Sequence, residues 1–262
     1  MEHLRPLILS LGIIIGLAAC SRMQTNNVNL EQAHNPLSAH MIAPGMGTIG
    51  LIAEDAINIY FPQDVRTWLQ DEASRFDLPQ PNSGIIAAGI GTIGVANKGV
   101  LHFYRLDATN QWSRLDWADF ALPRRYDRII VMKMPWEMGV LGLESNGLVD
   151  FYFFYDGEWQ VDPSASFTIP KGIDSYYPLG DMTLAVVQNN KLGIYYLGPE
   201  DGWEFLDHEP FILLLPDNFK GIIPYEPGKI AVLLDNKLGF YQLDLYDDRW
   251  IRLADLEFHL PY

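Results

Sequence analysis

Three aspartates, Asp127, Asp174 and Asp217, fall just ahead of three apolar runs of similar make-up, with Asn82 and Asn218 in comparable places. Carboxylates gathered in a ring could split a glycosidic bond, one protonating the leaving oxygen while another activates water. That role requires one carboxyl whose pKa is raised by its surroundings, and no neighbouring residue is built to raise it. The competing use is local, because Asx side chains at loop exits hydrogen-bond nearby backbone. A second acidic set comprises Asp64, Asp107, Asp156 and Asp201, then Asp244 with Asp247 and Asp248. Calcium needs several oxygens converging at short range, and the variable spacing of this set to the tryptophans that follow reads as turns. His34, His40, His102, His208 and His259 form no close ligand pair along the chain. Gly-x-Ser-x-Gly, His-Glu-x-x-His and the phosphate loop are all absent. No metal or cofactor is implied.

The aromatic residues offer a different chemistry. Trp68, Trp112, Trp159, Trp203 and Trp250 recur in phase, and although an indole can stack on a sugar, repetition in phase reads as core. Two tryptophans break the pattern. Trp136 lies in Lys133-Met134-Pro135-Trp136-Glu137-Met138, a loop longer than its counterparts, and Trp117 sits where the other copies have Ala73, Ser164, His208 and Asp255. Tryptophan and methionine on a protruding loop fit a protein-binding hot spot, so Met134, Trp136, Met138 and Trp117 are the candidate partner-binding residues. The competing reading folds the 133–138 loop back into the body.

The elements that must position these residues are legible as an internal repeat. Gly50, Gly94, Gly142, Ala185 and Ala231 each precede a tyrosine by ten positions, at Tyr60, Tyr104, Tyr152, Tyr195 and Tyr241. The tryptophans follow seven to nine residues later, and Pro79, Pro123, Pro170, Pro216 and Pro261 close the units. In the third copy the apolar runs 128–132, 139–143, 148–154 and 159–169 read as four short strands, and Asn146-Gly147 between two of them signals a tight hairpin. Strands this apolar are covered on both faces. A period of about 45 residues exceeds the rung of a β-helix and matches propeller blades. The fold expected is all-β: a five-bladed β-propeller of four-stranded antiparallel blades, at about 37–79, 80–123, 124–170, 171–216 and 217–262.

Within each blade, the small residue on the second strand is expected to admit the neighbouring blade closely, and the tyrosine to supply blade-to-blade contact. Both ends of the chain are in the same phase, so the ring should close by face packing alone and be weakest there. The order strand, hairpin, strand, loop, tryptophan resembles the tachylectin-like propellers, a sugar-binding family, at the level of architecture; its sugar-binding residues have no counterparts placed here. Tyr155-Asp156-Gly157-Glu158-Trp159 is similar to the Asp-box hairpins of sialidase blades. Five-bladed glycosidases that cut arabinan hold three carboxylates around the central mouth, and resemblance to them would give Asp127, Asp174 and Asp217 that role.

The N-terminus addresses location. A basic start at Arg5, an apolar run from Leu7 through Ile15 and then Leu17-Ala18-Ala19-Cys20 read as a secretory signal over residues 1–19, the run being short for a membrane span of about 20 residues. Small residues directly before cysteine resemble the lipobox of bacterial lipoproteins, which implies diacylglyceryl transfer to the Cys20 thiol, cleavage ahead of it and acylation of the new amino terminus. Cys20 is the only cysteine, so the exported domain has no internal disulfide. Residues 20–36 read as the lipidated cysteine and a polar tether. Ser21 after the cysteine points to outer-membrane sorting, with the domain facing the periplasm or cell surface.

The formal net charge of −15 makes nucleic acid and anionic headgroups poor partners. A basic protein, a cation or a neutral glycan is compatible with it. These observations lead to a lipid-anchored envelope protein acting as a non-enzymatic protein-binding propeller, of scaffold or inhibitor type. The alternative is a lectin, or a glycosidase using the acidic mouth.

Overall fold

The computed structural model describes Ala18–Ala19 and residues 41–260, apart from positions 46, 54, 65–66, 81, 83, 90, 108, 133–138, 199–201, 208, 227 and 245–248. Five separate antiparallel sheets follow one another along the chain, each a meander stepping outward. The inner strands are Met41–Gly45, Gly84–Gly89, Arg128–Met132, Ser175–Gly180 and Gly221–Glu226. The second strands are Thr48–Ala53, Thr92–Asn97, Val140–Ser145, Thr183–Gln188 and Lys229–Leu233. The third are Ala56–Pro62, Val100–Leu106, Leu148–Tyr155, Lys191–Gly198 and Lys237–Asp244. The arrangement is the five-bladed β-propeller. The dipeptide Ala18–Ala19 lies antiparallel to Ile85 and Ile86 of the second inner strand.

Turn chemistry sets the meander. Asn146 and Gly147, at φ +52° and +79°, join the second and third strands of blade 3, the left-handed pair that matches strand twist in a two-residue hairpin. The residue before each closing proline then donates its amide to the carbonyl of that same hairpin: Leu78 to Asp55, Leu122 to Gly99, Ile169 to Gly147, Leu215 to Asn190 and Leu260 to Asn236, at 2.6–3.0 Å. Proline follows where the ladder has ended, so its missing N–H costs nothing.

The outer strands Trp68–Asp77, Glu158–Thr168 and Arg249–His259 are continuous but bulged. Aspartate fixes two of these bulges. Asp71 Oδ1 accepts the Ala73 amide at 3.1 Å, and Asp162 Oδ1 accepts the Ser164 amide at 2.9 Å, the local Asx bonding that competes with a regular ladder. Blades 2 and 4 break at the same place into Trp112–Arg114 with Phe120–Ala121, and Gly202–Leu206 with Leu213–Leu214.

The core is five apolar wedges, each between neighbouring blades, including blades 5 and 1. The repeated tryptophan latches every seam through its bulge. Its indole N–H donates to a backbone carbonyl in the bulged strand of the preceding blade: Trp112 to Ser74, Trp159 to Ala118, Trp203 to Ala165, Trp250 to Phe211 and Trp68 to Glu257, at 2.8–3.0 Å. Ser74 and Ala165 lie inside the bulges of blades 1 and 3, and Ala118 and Phe211 in the 3-10 turns that replace them in blades 2 and 4, where the carbonyl is free of its own ladder. Glu257 is the residue just past the bulge of blade 5, opposite Gly239. The tyrosines cross the same seams, with Tyr60 against Phe258, Tyr104 against Phe76, Tyr152 against Phe120 and Tyr195 against Phe167.

The small residue has a different cause from the one expected. A Cβ on Gly142 would meet Ile130 Cγ1 at 2.6 Å and Phe151 Cε1 at 2.8 Å, and one on Gly50 would meet Ile42 Cγ1 at 2.8 Å. Ile130 and Phe151 are the cross-strand partners of Gly142 within its own sheet. Large side chains on the flanking strands lean over the second strand and leave no room there, so crowding inside the blade, rather than approach of the next one, dictates the small residue.

Candidate functional site

The place where blade 2 departs from its siblings carries the candidate site. The bulge at 115–119 is wound into a 3-10 turn, Asp116–Ala118, so Trp117 is not on a strand as its alignment with Ala73 and Ser164 suggested. Ala118 turns inward and is buried, which sends Trp117 outward at 52% exposure. Its ring lies 5.2 Å from that of Phe154 on blade 3, and Phe154 in turn packs edge-on against Trp159 at 5.2 Å. The exposed indole is therefore rooted in the latch of the seam between blades 2 and 3. Tyr155, 56% exposed, stacks on Phe153 at 5.9 Å with an interplanar angle of 8°.

A polar cluster sits on the same broken strand. His102 Nδ1 lies 2.9 Å from Asp119 Oδ2, and the Arg114 guanidinium donates to that oxygen at 2.7 Å while its Nε pairs with Asp116 at 2.9 Å. Arg114 Nη2 also lies 3.1 Å from His102 Nδ1. The Asp119 carboxylate is the hub, and with Nδ1 protonated the imidazole is oriented as a donor to it. Asp119 Oδ1 is buried without a hydrogen-bond partner among the described residues. Sequence reasoning passed over this cluster because His102 and Asp119 are 17 positions apart; the interruption of the repeat between Trp112 and Pro123 was the available signal. The guanidinium and carboxylates beside an exposed indole can orient a polar group on a partner resting on that ring.

The predicted acidic ring resolves into separate local roles. Asp127 Oδ2 accepts the Asn146 amide at 2.8 Å and Asp174 Oδ2 accepts the Asn189 amide at 2.8 Å, so each holds the hairpin of its own blade. Their phase is occupied in blade 5 by Lys220, whose amide bonds to Leu233 as those of Asp127 and Asp174 bond to Glu144 and Val187. Asp217 sits three residues ahead of that position, in the turn before Lys220. Asn82 Nδ2 donates to the Pro79 carbonyl at 3.2 Å, and Asn218 Nδ2 to Asp235 at 3.2 Å. Asp64 accepts the Thr67 amide at 2.8 Å, and Asp107 accepts the Thr109 hydroxyl at 2.6 Å and the amides of Gln111 and Thr109 at 3.0 and 2.7 Å; the hydroxyl first, then the amides, hold Asp107 below the usual carboxylate range. Among the described residues no group of three or more His, Cys, Asp or Glu side chains could hold a metal ion. Met134, Trp136, Met138 and Cys20 lie outside the described residues.

No family model matches the chain, and no curated protein matches it in sequence. Among solved structures it is similar to a functionally unknown protein from Desulfotomaculum acetoxidans, at 10% identity and a TM-score of 0.39 over 94% of this chain and 79% of that one. It is also similar to Saccharomyces cerevisiae Sqt1, at 11% identity and a TM-score of 0.30 over 66% of this chain and 47% of that one.

Proposed function

We propose that the protein is a non-enzymatic, protein-binding propeller tethered to the bacterial envelope through lipid on Cys20, its partner seated on the rim between blades 2 and 3. The observation that carries this reading is Trp117: half exposed, placed outside the repeat by a 3-10 turn, and braced from behind by Phe154 and Trp159. A rigid aromatic anchor with a polar rim is the anatomy of a hot spot. The net charge of −15 favours a basic partner by steering its approach. The lipobox at 17–20 and the polar stretch after it support the anchor.

The test is a photo-reactive residue at position 117 in living cells, with one at Leu214, still more open and on blade 4, as control. A single protein adduct specific to position 117 is expected; the same adducts from both positions would overturn the assignment. The second reading is a glycan, because an indole face beside the Arg114–Asp116 pair at 2.9 Å also suits a sugar ring. A saturable glycan-array signal lost in Trp117→Ala would favour it, and cleavage of the bound sugar lost in Asp127→Asn would favour the glycosidase.

A further inference from the structure

Opposite the repeated tyrosine, the fourth strand carries a long polar side chain in three blades, at Gln70, Arg114 and Arg252. Blade 4 has Phe205 there, its ring lying over Gly193 of the same sheet. Blade 3 has Val161, left 46% exposed. The hairpin before it is tight: Asp156 and Gly157, at φ +51° and +84°, join Tyr155 to Glu158. Such a turn bonds the Tyr155 carbonyl to the Glu158 amide, and an antiparallel ladder then alternates, so Glu158 and Gln160 direct their backbone groups inward. The N–H and C=O of Trp159 and Val161 point out of the sheet edge, and among the described residues no strand pairs with that edge. Pro163 ends the run, having no N–H to offer. A short, rigid edge stands open.

The side chains along this edge sort by face. Trp159 and Val161 lie opposite Phe154 and Tyr152 and look toward blade 2, where Trp117 packs on Phe154 at 5.2 Å. Glu158, Gln160 and Asp162 lie opposite Tyr155, Phe153 and Phe151 and look toward blade 4. The third and fourth strands of blade 3 hold Asp150, Asp156, Glu158 and Asp162 and no Lys or Arg; Asp150 and Asp162 also bond Ser166 and Ser164. The flanking strands do not offset these acids. Among the described residues, blade 2 sets Arg105 and Arg114 against Asp107, Asp116 and Asp119, and blade 4 sets Lys191 against Glu204, Asp207 and Glu209. Arg114 is already taken up by Asp116 and Asp119. We infer that the outer edge of blade 3 accepts an extended segment of the partner as a fifth strand, its alternate residues apolar toward Trp117 and Lys or Arg toward Glu158 and Asp162. Main-chain bonds to Trp159 and Val161 hold the segment, and the two faces select it, since opposite charges and apolar side chains pair across strands. The inference rests on the protein-partner reading above and names the part of that partner that docks.

The probe is a fluorescein-labelled octapeptide of alternating lysine and valine, titrated by anisotropy into the full chain in detergent. A peptide of the same composition with all its lysines first is the control. The alternating peptide should saturate and bind about five-fold or more tightly than the control. Methylating the backbone nitrogens of its lysines alone, or of its valines alone, should abolish binding in one case and leave it nearly unchanged in the other, because only alternate amides of an added strand face the edge. Val161→Pro removes an outward N–H and spares the ladder; with native circular dichroism retained, it should weaken the peptide about ten-fold. Should that variant fail to fold, the methylated peptides decide the matter on the unaltered chain. No saturable binding, equal affinity for the control peptide, or equal loss from both methylated sets would overturn the inference. Adducts from position 117 in cells separate this from the reading beneath it: a protein adduct there while the alternating peptide fails to bind removes the added strand and keeps the partner at the rim, whereas absence of the adduct removes the partner reading itself.

Discussion

Trp68→Phe should open the ring at one seam. Trp68 donates to the Glu257 carbonyl across 189 positions of chain, whereas the other four latches span 38 to 41. It also stacks on Phe240 at 5.9 Å and meets Phe258 edge-on at 5.1 Å. Phenylalanine keeps most of the packing and removes the donor. The net loss of a hydrogen bond is about 1 kcal/mol, and an uncovered carbonyl in a largely buried seam adds about 1–2 kcal/mol. A total of about 2–3 kcal/mol corresponds to roughly a 30- to 150-fold rise in the open population.

Trp203→Phe removes the same bond at the seam between blades 3 and 4, which is also held covalently by residues 169–174. The seam between blades 5 and 1 has no such link. Once parted, its two terminal blades each lack a neighbour on one face, and single four-stranded blades are marginal alone. Hydrogen exchange should therefore accelerate by that factor in residues 41–77 and 221–259 of Trp68→Phe, with residues 128–168 nearly unchanged. In Trp203→Phe the loss should spread over the whole ring. The reasoning is refuted if blade 3 accelerates as much as blades 1 and 5 in Trp68→Phe, or if urea unfolding shifts by less than about 0.5 kcal/mol.

Two further outcomes follow from the same packing. The Tyr225 hydroxyl donates to the Gly47 carbonyl at 2.6 Å across the closing seam, and burial, then the neighbouring Glu226, push its pKa above that of a free phenol. The folded state thus holds this proton more tightly than the unfolded chain, so above pH of about 10 stability should fall by about 1.4 kcal/mol per pH unit; Tyr225→Phe should flatten that slope in urea titrations while losing about 1 kcal/mol at neutral pH, and an unchanged slope would exclude Tyr225 as its source. At Gly142, where a Cβ would lie 2.6 Å from Ile130, alanine should cost about 1–3 kcal/mol by overpacking; at Gly147, with φ +79° and open space, it should cost about 1–2 kcal/mol from backbone conformation alone, and a Gly142→Ala variant as stable as wild type would remove crowding as the reason for the small residue.

Much of the architecture was legible because it is local. A hairpin at Asn146-Gly147 needs only the positive φ those residues tolerate, and the ten-residue spacing from small residue to tyrosine follows from two strands and a tight turn. The same in-phase logic moved the five tryptophans into the core, and their indoles do point into the seams. What each of them bonds was not legible, since the acceptors lie in another blade at bulges whose carbonyls only the assembled ring presents. Gly142 shows the limit from the other side: its smallness was evident, but the cause lay in which cross-strand partners overhang it.

The candidate site divides in the same way. Trp117 stood out in the sequence by breaking phase, whereas its exposure, its brace on Phe154 and the gathering of His102, Arg114 and Asp119 depend on a 3-10 turn set against the next blade. The aspartates at the loop exits were equally visible, and only their direction toward hairpin amides separates Asp127 and Asp174 from an acidic ring. The chain by itself determined the repeat, the turns and the total charge, because each depends on residue type and near spacing. The tertiary structure alone decided which carbonyl receives each indole and which face of its blade each charge occupies, because both depend on strand register and on how neighbouring blades meet.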